Sequence, residues 1–283
     1  KAIIRFLRLV LRLFWQNSKW VMNPFRLVSF SLIIACHFSF LLQSGKPIAA
    51  RVYLRDAKGQ WFFVESVALK GTAVRYDKTN WLRKDAFEKH TTTSAHPFKA
   101  NLPVGDYTLT VERGKEYFTA TWKLRIGNAA ANVDVKLRRW VNMAQRGWFS
   151  GETHIHRTLQ DLPNLIQAED LNVAMPLTYW VTQSDLPPTV GNKNIGGEIP
   201  GHLILVDPTH VIWPRNTEYE IFHVGKKRHT LGALFFLNHK RVFKKGVPPW
   251  GPIARAARKE GAIFDMDKLD WPFSMTLPHS TGA

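Results

Sequence analysis

The chain has 283 residues, with 39 Lys and Arg against 22 Asp and Glu, a net charge of +17. Its 45% hydrophobic and 22% charged content excludes a disordered tail or a coiled coil, and the length allows two domains with real cores. A single cysteine excludes a disulfide framework and any cysteine-rich zinc module.

Charge is unevenly spread. Residues 1–50 carry seven bases and no acid, residues 51–140 carry +8, and residues 141–283 carry only +2 but eight of the eleven histidines. Residues 1–21 set Arg5, Arg8, Arg12 and Lys19 among apolar side chains, which reads either as a basic face suited to a membrane or cell-envelope surface or as translated upstream sequence. From Met22 the order is Arg26, an apolar run of 16 residues from Leu27 to Leu42, and a small-residue stretch ending at Ala50. That order predicts an export signal cleaved near Ala50 and a periplasmic, envelope or secreted location. The run is slightly short of the roughly 17–25 residues of a membrane-spanning helix, which makes a retained anchor the second reading. Residues 1–50 are thus read as a basic leader with a signal peptide.

Residues 51–140 change to short alternating runs. Tyr107, Leu109 and Val111 alternate with Thr108 and Thr110, and Val133, Val135 and Leu137 with Asp134 and Lys136. Period-two alternation with Gly and Pro punctuation predicts a small antiparallel β-sandwich. The phrase LPVGDYTLTV at 102–111 resembles the closing hairpin of transthyretin-like or carboxypeptidase-regulatory-like modules. The +8 of this stretch has neither a zinc-finger nor an RNA-binding strand signature, so it reads as a solvated basic face and nucleic acid is not an expected partner.

The chemistry-bearing residues lie after 140. Trp148-Phe149-Ser150 reads as a strand running into Gly151-Glu152-Thr153-His154-Ile155-His156. On extended backbone His154 and His156 point to one side, where two neutral imidazoles can hold a divalent cation. Glu152 shares that side as a ligand or as an acceptor that fixes an imidazole tautomer. A helix follows, with Asp161 as N-cap and Pro163 in its first turn. Pro252 opens a second helical pattern, PIARAARKE, stopped by Gly261, and Ala262-Ile263-Phe264-Asp265 reads as a strand ending in acid. Helices alternating with apolar strands predict a parallel α/β layer or barrel with its chemistry at the strand ends.

GETHIHR after a strand, followed by AEDLNVAMPLT, resembles the PHP (polymerase and histidinol phosphatase) metallohydrolase superfamily, especially its carbaryl-hydrolase-like CehA/McbA branch. The resemblance implies an α/β fold class: the sandwich followed by a C-terminally truncated, PHP-type distorted β/α barrel over 141–283. It implies two divalent ions (Zn, Mn or Fe) held by His154 and His156, with Glu220, or Glu218 as its rival, as the later acidic ligand. His229 and Asp265 complete the implied metal set, and Glu152 and Asp267 are the implied catalytic carboxylates. The implied activity is a secreted, metal-dependent hydrolase using activated water on a small ester, carbamate or phosphoester. Two departures stand out: Thr178-Tyr179-Trp180 replaces the family's Thr-Asp-His, and 137 residues from 147 onward are few for a barrel. They motivate the alternative of a non-catalytic cell-envelope binding protein.

Overall fold

A computed structural model describes residues 33–42, 44–228 and 233–267. The first region runs through β1 (Ile33–Leu42), β2 (Ala50–Asp56), β3 (Trp61–Phe62), β4 (Glu65–Ser66) and β5 (Ala73–Thr79). It continues with β6 (Phe87–Thr93), β7 (Phe98–Pro103), β8 (Gly105–Glu112), β9 (Ala120–Ile126) and β10 (Ala131–Leu137). Two sheets result, ordered β10-β1-β7-β4 and β5-β6-β2-β8-β9, with β3 added to β2. Alternation decides the inner faces: Phe38, Phe98 and Leu102 of one sheet and Leu54, Leu109 and Val111 of the other are each at most 1% exposed in one shared core. Burying each such side chain stabilises by about 1.5–3 kcal/mol.

Strand β1 alters the expected boundary. It pairs in parallel with β10 and antiparallel with β7, an internal place in its sheet, and buries Cys36 and Phe38. Ile34, Cys36 and Phe38 of the stretch expected to be the apolar part of a signal therefore contribute to the sandwich core. Ala50, the expected cleavage position, is the fully buried first residue of β2. Residues 1–32 lie outside the described residues. Among those described, no helix is long and apolar enough to cross a membrane.

The second region contains β11 (Gly151–Ile155), α1 (Leu162–Glu169), β12 (Val173–Pro176), β13 (Tyr179–Gln183), β14 (Thr189–Val190) and β15 (Ile204–Asp207). After these come β16 (His210–Ile212), β17 (Thr217–Val224), β18 (Lys227–Arg228), β19 (Ala233–Leu237), α2 (Gly251–Lys259) and β20 (Ile263–Asp267). The sheets are β11-β12-β16-β15 and β14-β13-β17-β19-β20, with β18 against β17.

This architecture corrects the expected α/β barrel. Strand makes up 46% of the structure and helix 9%, in two α-helices among the described residues. A parallel barrel needs a crossover of a dozen or more residues between successive strands, usually a helix. Only Leu177 and Thr178 separate β12 from β13, and β17, β19 and β20 pair antiparallel. Most connections are too short or of the wrong sense for helices, so the sheets stay open and mixed.

The helices themselves follow local rules with one change. Gly261 takes φ +79° just beyond α2, the left-handed geometry that ends a helix. At α1 the Asp161 side chain makes no capping bond; the Thr158 hydroxyl accepts from the Asp161 N–H at 3.0 Å instead. Leu162 and Ile166 of α1 pack on Ala174 and Ile212, while Ile253 and Ala257 of α2 cover Tyr219, Ile221, Leu234 and Phe236.

Charged groups close the junction between the two regions. Asp170, just past α1 at φ 52°, accepts from Arg113 at 2.7 Å and from Arg139 at 2.8 Å, with both Asp170 and Arg113 under 10% exposed. Arg113 also donates to the Ala49 carbonyl, and Arg51 pairs with Glu169. Gly114 sits so close to the end of α1 that a Cβ there would lie 2.4 Å from the Glu169 carbonyl oxygen. Only glycine permits that approach.

Candidate metal centre

The site forms between the two sheets of the second region. His154 is the penultimate residue of β11 and His156 directly follows its end, so the strand supplies the two imidazoles at alternate positions. Opposite them runs a row of residues in register across the larger sheet: Trp180 on β13, Glu218 on β17, Phe235 on β19 and Asp265 on β20. Paired residues in neighbouring strands point to the same face. The row therefore presents one carboxylate between two aromatic rings.

His154 stands edge-on to the Phe235 ring with centroids 4.8 Å apart, and the His156 ring lies 5.5 Å from Trp180. The rings of His154 and His156 are 5.3 Å apart. Glu218 is fully buried, with its Oε2 2.9 Å from His156 Nε2 and its Oε1 4.0 Å from His154 Nε2. One potential ligand atom from each of His154, His156 and Glu218 lies within 4.8 Å of the others, so this group could hold a metal ion. Two donors bound to one tetrahedral ion at about 2.0–2.1 Å lie about 3.3 Å apart, which the observed spacings bracket. A carboxylate buried to this depth needs a cationic neighbour, since uncompensated burial costs several kcal/mol. The imidazole side chains remain 36% exposed, leaving one side of the group open.

The start of β17, which carries Glu218, is tied down by Asn216, fully buried two residues before it. Asn216 donates to the carbonyls of Pro176 at 2.9 Å and Trp213 at 2.8 Å, and accepts from the Asn238 N–H at 2.8 Å. One amide thus ties the ends of β12, β16 and β19 to the start of β17. His239 is fully buried beyond β19 and shares a hydrogen bond of 2.8 Å with the Thr217 hydroxyl. Burial pushes its pKa down to about 4.

The expected site residues divide. His154 and His156 come together, and their carboxylate partner is Glu218, the rival, rather than Glu220. Glu220 lies one alternation further along β17 on the same face, largely buried and outside the three-residue group. Asp265 shares the cross-sheet row but is also outside the group. Glu152 is turned to its own backbone, where its Oε1 accepts from the N–H groups of Thr153 and His154 at 2.9 Å each. It neither joins the ligands nor fixes an imidazole. His229 and the side chain of Asp267 lie outside the described residues. Phe235 and Asn216 were not foreseen as part of the site: the first reads as ordinary core, and the second carries no motif.

Neither protein-family models nor curated protein sequences give a match to the chain.

Proposed function

We propose that the chain is a metal-dependent hydrolase whose ion is held by His154, His156 and Glu218. The observation that carries this reading is the buried Glu218 carboxylate 2.9 Å from His156 Nε2, beside two half-open imidazoles. Three protein donors with an open side match catalytic zinc sites, where the fourth position takes water or substrate. The donor set suits Zn²⁺, and also Mn²⁺ or Fe²⁺. When bound, the ion would lower the pKa of a water toward about 7 and polarise the oxygen of the bond being cleaved.

The chain's own residues do the rest. Glu218 is fixed between β13 and β19, so its oxygens keep their aim at the imidazoles. Phe235 and Trp180 flank the histidines and keep water from that wall. Glu220 and Asp265 are the next carboxylates on the same face of the sheet, and we assign them to proton transfer or to a second ion. The substrate class is a small ester, carbamate or phosphoester. GETHIHR, through its resemblance to the PHP first motif, agrees with this chemistry independently of the fold.

Export belongs to the same proposal, with one change. The internal position of β1 supports a mature chain that keeps Ile33–Leu42. A secreted protein whose N-terminal sequence begins at Arg51 would overturn that.

Elemental analysis after dialysis against Zn²⁺ or Mn²⁺, paired with hydrolysis of nitrophenyl acetate and nitrophenyl phosphate, tests the function. We expect at least one ion per chain, and H154A/H156A and E218Q to lose both ion and turnover. Absence of bound metal, or turnover unaffected by these changes, overturns the proposal. Stoichiometric metal without hydrolysis of any ester favours the envelope-binding alternative, which the presence of Trp180 at the site motivates.

A further inference from the structure

A cleft of about 660 Å³, lined by none of His154, His156 and Glu218, opens between α2 and the segment following β19. Five cations line it: Arg215, Lys240, Arg241, Lys244 and Lys245. Its single acid, Glu260, is already engaged by the Arg241 side chain and by the N–H groups of Lys240 and Arg241. Arg215 donates to the carbonyls of Lys240 at 2.7 Å and Ile199 at 3.3 Å, which fix the guanidinium without neutralising it. Four cationic residues therefore line one cleft with no carboxylate ion pair among the described residues.

The floor has the opposite character. Phe243, Pro252, Ile253 and Ala256 line it, and Phe243 and Ile253 also belong to the core beneath. The segment that carries the lysines is anchored: the Tyr219 hydroxyl donates to the Lys245 carbonyl, and Glu260 holds Lys240 and Arg241 by their backbones. A preformed apolar trough with a cationic rim suits a ligand with a charged head and an apolar body. A phosphate monoester carries about −1.5 to −2 charges near neutral pH and accepts hydrogen bonds from several cations at once. A carboxylate offers half that charge to the same rim.

We propose that this cleft binds a phosphate monoester bearing an apolar chain, with the phosphate among Arg215, Lys240, Lys244 and Lys245 and the chain along Phe243, Ile253 and Ala256. The source is either a soluble organic phosphate or the headgroup and first methylenes of an anionic lipid. The site is separate from the metal centre and does not depend on the chain being an enzyme.

Calorimetric titration of the full chain with monomeric octyl phosphate tests it, with ethyl phosphate and octyl glucoside as controls for tail and head. One octyl phosphate should bind per chain, about tenfold or more tighter than either control, because both charge pairing and methylene burial contribute. Lys244 and Lys245 are exposed, so K244E/K245E should keep the far-ultraviolet spectrum and lose about tenfold or more in affinity, with K244Q/K245Q intermediate. Flotation with phosphatidylcholine vesicles containing phosphatidic acid assigns the lipid source, and octyl phosphate binding without flotation assigns the soluble one. Equal affinity for octyl glucoside, or no effect of charge reversal, overturns the site. So does flotation without octyl phosphate binding, which indicates general adsorption to an anionic surface.

Discussion

The sandwich and the region after it bury their interiors by different means. The sandwich closes over one continuous apolar core drawn from both sheets. The second region divides its apolar side chains into three clusters and places Glu218, Asn216 and His239 fully out of solvent. An apolar core is held by area and shape, which many sequences satisfy. Buried polar groups are held by particular partners, each expensive to lose. The sandwich is therefore the stable frame, and the second region has its stability committed to holding side chains in position.

The sharpest test is at the junction. Asp170→Asn leaves the left-handed backbone intact, since Asn tolerates it, but strips the charge facing Arg113 and Arg139. It should cost about 3–5 kcal/mol in denaturant unfolding, the usual result of breaking a buried ion pair. A shift under 1 kcal/mol (roughly the worth of a surface pair) would deny that these charges join the two regions.

Leu109→Ala should cost about 2–5 kcal/mol through the cavity it leaves, and should not change the metal bound per folded chain. Loss of metal from a folded variant would break the division of labour.

His239 gives a pH signature. Its folded pKa lies below the ordinary value near 6.5, so the unfolded chain binds the extra proton first. Its contribution is fully present above about 6.5 and is lost as pH falls toward 4, by roughly 3 kcal/mol. His90 in the sandwich is shifted the same way by burial and adds to that acid sensitivity. Stability measured from pH 7.5 to 4 should flatten in His239→Gln; an unchanged slope removes His239 as the cause.

Asn216→Ala has the smallest stability effect, about 1–3 kcal/mol. It should nevertheless weaken metal affinity about tenfold, more than a sandwich variant of equal cost, as losses of supporting groups do. Equal metal affinity would show that Glu218 needs no such tether.

Some of this was legible in residue order and some was not. His154 and His156 could be read because strand geometry relates positions two apart without knowledge of the fold. Glu220 was expected ahead of Glu218, and residue order alone does not separate them, because they share a face; the choice depends on the pairing of β17 with β13 and β19, set by residues some 15–40 positions away. The helix of PIARAARKE was visible through Pro252 and Gly261, both local signals. The barrel was wrong because strand sense is decided by connection length and partner, not by apolar runs. β1 was hidden for another reason: an apolar run reads as a signal until burial shows Ile34, Cys36 and Phe38 inward and His37 outward.

β1 also imposes an order of events on the ribosome. Its parallel partner, β10, is translated about 90 residues later, which at ordinary elongation rates is roughly 5–20 s. Throughout that interval a strongly apolar segment has no mate on that edge, and its sheet cannot close until β10 has emerged.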